Sequence, residues 1–446
     1  MKISVIGCGY LGATHAASMA ELGHDVIGVE VDPAKRALLT AGKVPFYEPG
    51  LPELLSEHVA TGRLRFTDSM TEAAEADLHF VCVGTPQLAT SLGADTSYVT
   101  AAMTSLAQAL AARGPRDGRP VYVVGKSTVP VGTAAAMNAL LQETANTDGT
   151  GVDVELVWNP EFLREGFAVK DTLEPDRVVL GVGSARAEAA LRDFYSPMAA
   201  TGTPFVVTDY ATAELVKVSA NAFLATKISF VNAVGEVCDA AGADVVALAD
   251  AIGHDARIGR KFLNAGVGFG GGCLPKDIRA FVHRAGELGV EDAMSFLRQV
   301  DAINQRQRQR ATQITKDLLG GEVAGRRIGI WGAAFKPDSD DVRDSPALDI
   351  AGRLHLRGAH VSIYDPQATE TARTRFPTLT YTDSAIAAAD GAEALLHLTE
   401  WKEFRTVDIA AVTDVVAARR LLDGRNLLDL TAWRDHGWEA RGLGHR

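Results

Sequence analysis

Apolar positions fall into two rhythms along the chain. Short, nearly unbroken apolar runs occur at Lys2–Ile6, Asp25–Val31, Leu78–Val83, Val121–Val124, Leu156–Trp158 and Arg177–Gly183. Runs of this length read as buried strands. Between them lie alanine-rich stretches with apolar residues every three or four positions, the spacing of helices that bury one face. Strands alternating with helices predict βαβ units and a parallel sheet. From about Thr208 the rhythm changes. Ala211–Ala241 keeps helical spacing throughout (Leu215, Val218, Ala222, Leu224, Ile228, Val231), and a second helix is predicted over Val245–Ile252. After a glycine-rich stretch at Gly266–Gly272, helical spacing resumes near Pro275 and runs to about Leu319. The strand rhythm returns at Arg327–Trp331, with Val361–Tyr364, Ala394–Leu398 and Leu427–Leu430 as the expected sheet partners. The fold class is therefore α/β. Two α/β domains, 1–207 and 323–446, flank a mostly helical block, 208–322.

Composition narrows the functions open to such a chain. Of 446 residues, 44 are Lys or Arg and 56 are Asp or Glu, a net charge of −12. That balance argues against nucleic acid or an anionic membrane as partner, because both select a basic surface. Hydrophobic residues at 47% and charged residues at 22% are ordinary for a folded globular protein. No apolar run approaches the roughly 18 residues of a membrane span. The run Ile3–Ile6 is too short for a signal-peptide core, so a cytoplasmic location is expected. Cys8, Cys82, Cys238 and Cys273 lie far apart with no paired metal-ligand spacing. This predicts a reducing compartment, no disulfide framework and no metal site.

The first strand runs into Gly7-Cys8-Gly9-Tyr10-Leu11-Gly12, which opens a helix. A strand, a glycine-spaced turn and a helix are the context of a dinucleotide-binding turn. Gly7 permits the tight turn, Gly9 lets backbone approach a pyrophosphate, and Gly12 allows close packing of helix on strand. Unpaired N–H groups at the helix start then face the phosphates. Glu30 ends the second strand about 20 residues on, where a ribose-binding carboxylate is expected. A carboxylate there accepts from both ribose hydroxyls and repels a 2′-phosphate, which favours NAD over NADP. Lys35 nearby weakens that argument, and Asp32 is a rival ribose partner.

Gly266-Val267-Gly268-Phe269-Gly270-Gly271-Gly272-Cys273-Leu274-Pro275-Lys276-Asp277 is the most informative stretch. Five glycines in seven residues are more than packing asks for and suggest a backbone that approaches a ligand. Pro275 suits the first turn of a helix. Cys273 then sits near a helix N-terminus and beside Lys276, both of which favour the thiolate. The other three cysteines read as small buried hydrophobes. A nucleophilic thiol beside NAD has a specific use. It adds to an aldehyde, and loss of a hydride from the adduct gives a thioester that water hydrolyses to an acid. The combination predicts four-electron oxidation of a primary alcohol, or oxidation of an aldehyde.

The chain resembles the UDP-glucose/GDP-mannose dehydrogenase family, and within it the bacterial form of the UDP-glucose 6-dehydrogenase group. The resemblance rests on GCGYLG, YEPGL (Tyr47–Leu51), VGTPQ (Val83–Gln87), KSTVPVGT (Lys126–Thr133), NPEFLREG (Asn159–Gly166) and EPDRVVLG (Glu174–Gly181). It continues in ELVKVSANAFLATKISF (Glu214–Phe230), DARIG (Asp255–Gly259), FLNAGVGFGGGCLPKD (Phe262–Asp277) and FKPDSDDVRDSP (Phe335–Pro346). It implies an N-terminal NAD-binding Rossmann domain, a central helical dimerisation region and a C-terminal Rossmann-like domain that binds the UDP-sugar. The implied reaction converts UDP-glucose to UDP-glucuronate with two hydride transfers to NAD.

Implied roles follow residue by residue. Cys273 is the nucleophile. Lys217 and Asn221, four apart on one helix face, stabilise an oxyanion at C6. Asp277 and Thr128 position the hydrolytic water, and Glu161 is the acid/base acting through it. For NAD the resemblance implies Leu11, Glu30, Lys35, Thr85, Thr128, Glu165, Lys276 and Arg343, beside the glycine turn. For the sugar nucleotide it implies Glu161, Phe162, Leu163, Glu165, Lys217, Asn221, Phe262, Leu263, Asn264, Ala265, Gly266, Gly270 and Lys336. It sends Arg257 into the site of a neighbouring subunit, so a homodimer is expected. On the residues alone, Arg257, Lys336 and Arg343 read as solvated surface charges. Three departures stand out: Glu30 for the commoner Asp, Gly272 where Ser is common before the cysteine, and Phe167 at a position often held by a small residue. Other readings are a sister enzyme acting on GDP-mannose or a UDP-N-acetyl-hexosamine, a regulator that binds sugar nucleotides without catalysis, and a single-hydride hydroxyacid dehydrogenase. The last leaves the thiol stretch without a task.

Overall fold

A computed structural model describes residues 1–116, 118–146, 149 and 151–445. The chain divides into two compact units, Met1–Ala220 and Asn221–Arg446. No described helix is long and apolar enough to cross a membrane.

The first unit is built on eight strands: β1 (Lys2–Ile6), β2 (Asp25–Val29), β3 (Leu64–Thr67), β4 (Leu78–Val81), β5 (Val121–Gly125), β6 (Val154–Trp158), β7 (Val178–Val182) and β8 (Phe205–Thr208). Their order is β3-β2-β1-β4-β5-β6-β7-β8. The central strands are buried on both faces, which is why they read as continuous apolar runs rather than alternation. The order reverses between β1 and β4, with Ile6 in register with Val29 on one side and Val81 on the other. Loops at the carboxyl ends of these strands form the crevice where doubly wound sheets bind ligands.

One sequence expectation is qualified here, and two strands have no sequence expectation behind them. The sheet is not wholly parallel, because β6 and β7 pair antiparallel through Val157↔Val182 and Trp158↔Gly181. The segment between them holds one short helix, Ala168–Leu173, and does not cross the sheet, so the chain re-enters reversed. Strands β3 and β8 carry no strong sequence signal. Both are four-residue edge strands, only partly buried, and lack the apolar run of the interior.

The helix Tyr210–Ala241 spans the division between the units. Asp209 starts it by accepting from the Thr212 N–H at 2.8 Å, and Gly242, at φ +76°, follows its last residue. The second unit continues with helices Val245–Gly253, Leu274–Glu287 and Phe296–Leu318. It then forms a parallel sheet of β9 (Arg327–Trp331), β10 (His360–Tyr364), β11 (Thr380–Tyr381), β12 (Ala394–His397), β13 (Arg420–Asp423) and β14 (Glu439–Gly442), in the order β11-β10-β9-β12-β13-β14.

The strand expected at Leu427–Leu430 is absent; β13 lies earlier. The buried Asp423 carboxylate takes the N–H groups of Arg425 (3.0 Å), Leu427 (2.8 Å) and Leu428 (2.7 Å). Donors committed to a side chain cannot join a ladder. Asp429 then caps the helix Leu430–Asp435, so Leu428 and Leu430 pack the core from a turn and a helix start while Leu427 stands exposed.

Candidate active site

The glycine turn sits at the β1/β4 switch point. Gly7 adopts φ +86°, and a Cβ there would lie 2.7 Å from Val83. A Cβ on Gly12 would overlap the Gly7 carbonyl, so the helix Tyr10–Glu21 packs as closely on the turn as glycine allows. Gly9 differs: a Cβ there meets nothing within 4 Å. The turn is thus closed toward the protein at Gly7 and Gly12 and open at Gly9. Leu11 is half-buried on the first helical turn.

Glu30 is buried at the end of β2, and its carboxylate accepts from the Asp32 N–H at 2.9 Å. Asp32 spends its own carboxylate on the Ala34 and Lys35 N–H groups, capping the helix Pro33–Thr40. Lys35 stands exposed on that first turn. Across the switch point, the buried Thr85 hydroxyl donates to the Thr128 carbonyl at 2.7 Å, and Ser127 donates to the Val83 carbonyl at 2.6 Å. These bonds join the VGTPQ and KSTVPVGT loops.

The Asn159–Gly166 loop leaves the end of β6. Glu161 sits in it with one carboxylate oxygen 3.1 Å from the Lys217 ammonium and the other accepting the Leu163 N–H at 2.6 Å. Lys217 is buried and lies 5.3 Å from the centre of the Phe162 ring. The structure therefore brings Glu161, Phe162, Leu163 and Lys217 together. Glu165 follows on the same loop, partly buried.

Sequence reasoning missed two cations here. The Arg177 guanidinium lies over the Phe162 ring at 3.7 Å. Lys126 is buried, donates to Asn159 Oδ1 at 2.9 Å, and lines a cleft with Asn159, Glu161, Phe162, Leu163 and Arg177. Burial pushes the Lys126 ammonium down to about 8, against an opposing pull from Glu161. Both residues lie within quoted motifs; burial singles out Lys126 and stacking on Phe162 singles out Arg177.

In the second unit Cys273 is exposed and is the N-cap of the helix Leu274–Glu287. One turn on, the buried Asp277 carboxylate accepts from the Asn221 side-chain amide and from the Lys276 ammonium, each at 2.7 Å. The other cysteines are buried. Burial raises the thiols of Cys8 and Cys82, consistent with inert packing.

The glycines before Cys273 also serve packing, which the sequence reading discounts. A Cβ on Gly266 would lie 2.7 Å from the Gly424 carbonyl, and one on Gly271 would lie 2.8 Å from the Phe335 ring. Gly268 is pressed against Asn304, Gly270 against the Asp344 carbonyl, and Gly272 against the Arg343 guanidinium. Four of the five are demanded by close packing against backbone, Asn304 or the Phe335 ring, whereas a Cβ on Gly272 would meet only the exposed end of the Arg343 side chain. Asn304 holds the loop by bonding both the N–H and the carbonyl of Phe269, at 2.8 and 2.9 Å. Arg308 reaches the same carbonyl at 3.2 Å, and Arg425 reaches the Gly268 carbonyl at 3.1 Å. These three lie outside every motif, and nothing in the sequence marks them.

The stretch ahead of this loop turns sharply, with Phe262 at φ +65°, rare for a non-glycine residue. Leu263 and Ala265 are buried, Asn264 accepts from Arg260 at 2.7 Å, and the Gly266 N–H donates to Asn232 at 2.8 Å. Lys336 is partly buried in the loop after β9. Arg343 is paired with Asp341 at 2.8 Å. Arg257 is paired with Asp255 at 2.7 Å, yet its side chain is 89% exposed.

Comparison with known proteins accounts for the whole chain. Residues 1–199 match the NAD-binding domain of the UDP-glucose/GDP-mannose dehydrogenase family, 211–306 its central domain and 329–430 its UDP-binding domain. The chain is 39% identical to a UDP-glucose 6-dehydrogenase of Rhizobium meliloti (strain 1021), over 100% of this chain and 99% of that one. Among solved structures, a UDP-glucose dehydrogenase from Pyrobaculum islandicum superposes with a TM-score of 0.89 at 38% identity, covering 100% of this chain and 98% of that one. A UDP-D-ManNAc dehydrogenase from Pyrococcus horikoshii superposes at 0.84 with 25% identity, covering 100% and 99%. The chain belongs to the UDP-glucose/GDP-mannose dehydrogenase family.

Proposed function

We propose that this protein is an NAD-dependent UDP-glucose 6-dehydrogenase, oxidising the C6 alcohol of UDP-glucose to the carboxylate of UDP-glucuronate. The observation that carries the reading is an exposed cysteine at a helix N-terminus, one turn before the buried Asp277–Asn221 pair, in a chain that also bears a dinucleotide turn. The turn fits NAD: Gly9 leaves open space beside the start of the helix Tyr10–Glu21, and Glu30 ends β2. Asp32 is committed to capping, which supports Glu30 as the ribose partner. NAD held there would supply the hydride acceptor for each of the two oxidations.

The remaining chemistry belongs to the chain. Lys217 carries a buried positive charge that stabilises negative charge developing on the C6 oxygen. Cys273 Sγ adds to the aldehyde carbon, giving a thiohemiacetal whose oxidation yields a thioester. A water, positioned by Asp277 and Thr128 and relieved of its proton through Glu161, attacks the thioester carbonyl. The C–S bond breaks, the acid departs and the thiol is restored. Asn221 holds Asp277 and helps Lys217.

We assign Leu11, Glu30, Lys35, Thr85, Thr128, Glu165, Lys276 and Arg343 to the cofactor. Phe162, Leu163, Glu165, Phe262–Gly266, Gly270 and Lys336 go to the sugar nucleotide. The division 1–207, 208–322 and 323–446 separates cofactor, helical and UDP-sugar-binding parts. A homodimer completes the reading, with Arg257 reaching the neighbouring subunit's substrate. Phe223, Phe230 and Val237, seven apart on the helix Tyr210–Ala241, expose a large apolar stripe that supports pairing of subunits. A cytoplasmic location follows from the need to keep Cys273 reduced.

The test is NADH formation by the purified protein across a panel of sugar nucleotides. The expected result is preference for UDP-glucose with two NADH per molecule oxidised. Preference for GDP-mannose or a UDP-N-acetyl-hexosamine would assign the sister reaction, and one NADH per substrate would remove the thioester from the mechanism. Greater identity to the UDP-glucose enzymes, 38–39% against 25%, supports UDP-glucose.

A further inference from the structure

Glu48 lies in the Tyr47–Leu51 stretch, to which the reaction above gives no task. Its side chain belongs to the first unit and is 1% exposed. It accepts from the Tyr10 hydroxyl, from the Gly166 N–H at 2.7 Å and from the Ala168 N–H at 2.7 Å. The Tyr10 oxygen also accepts from the Gly166 N–H, at 3.1 Å. Burying a carboxylate is costly unless its oxygens are satisfied, and none of these three donors is a cation. Burial, with the bond to Glu48, raises the Tyr10 phenol far above its ordinary value, so the hydroxyl keeps its proton and donates.

The donors come from two places that the reaction must keep in step. Tyr10 is the first residue of the helix Tyr10–Glu21, directly after Gly9. Gly166 and Ala168 follow the Glu161–Glu165 loop and open the helix Ala168–Leu173, whose N-cap, Phe167, supplies no side-chain acceptor. Glu48 therefore caps that helix from outside, which by itself accounts for the bonds to Gly166 and Ala168. Capping does not account for the third bond, to a phenol beside the most open glycine of the cofactor turn.

We propose that Glu48 and Tyr10 form a positioning pair that couples the cofactor turn to the Glu161–Gly166 loop, so that ligand on one strengthens binding at the other. The inference rests on the reading of the turn as the NAD site and of the loop as part of the sugar-nucleotide site. A cofactor that orders the turn fixes Tyr10, through Glu48 fixes Gly166, and so holds the loop; by linkage the reverse holds equally.

The test measures NADH affinity by fluorescence, with and without UDP-glucose, a pair that cannot react. In the wild type, UDP-glucose should tighten NADH binding by roughly five- to tenfold, within the usual range for coupled sites. Tyr10→Phe removes one hydroxyl and leaves both backbone bonds to Glu48. It should bring that ratio to about one while each ligand alone binds within roughly threefold of wild type, and raise KM for UDP-glucose more than it lowers kcat. Glu48→Gln should lose the coupling too, and if it fails to fold, Tyr10→Phe decides alone. A purely structural role predicts a lower Tm with the ratio unchanged; that outcome, or no coupling in the wild type, overturns the proposal. Should the panel show turnover of another sugar nucleotide, the coupling is read with that one, so the proposal and the substrate assignment fail separately.

Discussion

Replacing the Cys273 thiol by a hydroxyl leaves the helix start untouched, because its backbone carbonyl, not Sγ, takes the Asp277 N–H at 2.9 Å. Cys273→Ser should lower UDP-glucose turnover by at least roughly a thousandfold, since an alkoxide forms less readily and leaves less readily than a thiolate. NAD binding should change by less than about twofold. Near-normal steady-state turnover would remove the covalent step. Lys126 gives a second residue-scale outcome. Burial holds its ammonium at about 8, below the usual 10.5, so the unfolded chain binds the extra proton between those values. The charged form thus costs stability below about pH 8, and the cost is relieved as pH rises toward 10.5. Relative to Lys126→Met, the wild type should gain on the order of 2–3 kcal/mol between pH 7 and pH 10, read from urea unfolding. Parallel stability curves for the two proteins would show that the folded amine keeps its ordinary affinity for the proton and stays charged. Residue chemistry was largely legible in the sequence where a motif fixes spacing, as at Gly7, Glu30 and Cys273. Burial and long-range stacking are set by the tertiary fold, so the burial of Lys126 and the stacking of Arg177 on Phe162 left no sign in the sequence.

The central strands and long helices follow from periodicity because their environment is uniform along their length. The misreadings cluster where one polar side chain redirects a backbone, as Asp423 does to Leu427 and Leu428, or where an edge strand lacks a buried face. The glycine loop teaches the same point from the other side. Several of its glycines answer to Phe335, Asn304 and the Asp344 carbonyl, residues distant in sequence, so the sequence alone does not show the packing they serve. Gly271→Ala should therefore be destabilising twice over, through φ +84° and through a Cβ 2.8 Å from the Phe335 ring. The sum is about 2–4 kcal/mol, from the left-handed backbone and from overpacking. Gly286, on the helix that Cys273 caps, has ordinary φ and nothing within 4 Å of a built Cβ. Gly286→Ala should stabilise by about 0.5–1 kcal/mol. Urea midpoints of the two variants check both signs. A neutral Gly271→Ala would mean the loop is free to move away from Phe335.

At the scale of the molecule, the residues proposed for the reaction are divided in the chain: Glu161, Thr128 and Lys217 belong to the first unit, Asn221, Cys273 and Asp277 to the second. The proposed role of Arg257 would extend this division beyond one chain. The Arg257 guanidinium pairs with Asp255 of its own segment, and its side chain is 89% exposed. If it serves the neighbouring subunit's substrate, Arg257→Ala should raise KM for UDP-glucose by roughly ten- to hundredfold, the usual loss of a charge-assisted contact, while NAD affinity holds. A mixed dimer separates service in trans from service within the chain. Arg257→Ala subunits keep Cys273, and Cys273→Ser subunits keep Arg257. In a heterodimer, the site on the Arg257→Ala chain has its thiol and receives an intact arginine from its neighbour, so one site in two should work. Random mixing makes half the dimers heterodimers, so activity at low UDP-glucose should recover to about a quarter of wild type. If heterodimers form, as native mass measurement would show, and activity stays at the level of the separate variants, Arg257 acts on its own chain or on none. The apolar stripe at Phe223, Phe230 and Val237 would then support a dimer whose sites are each complete without the partner.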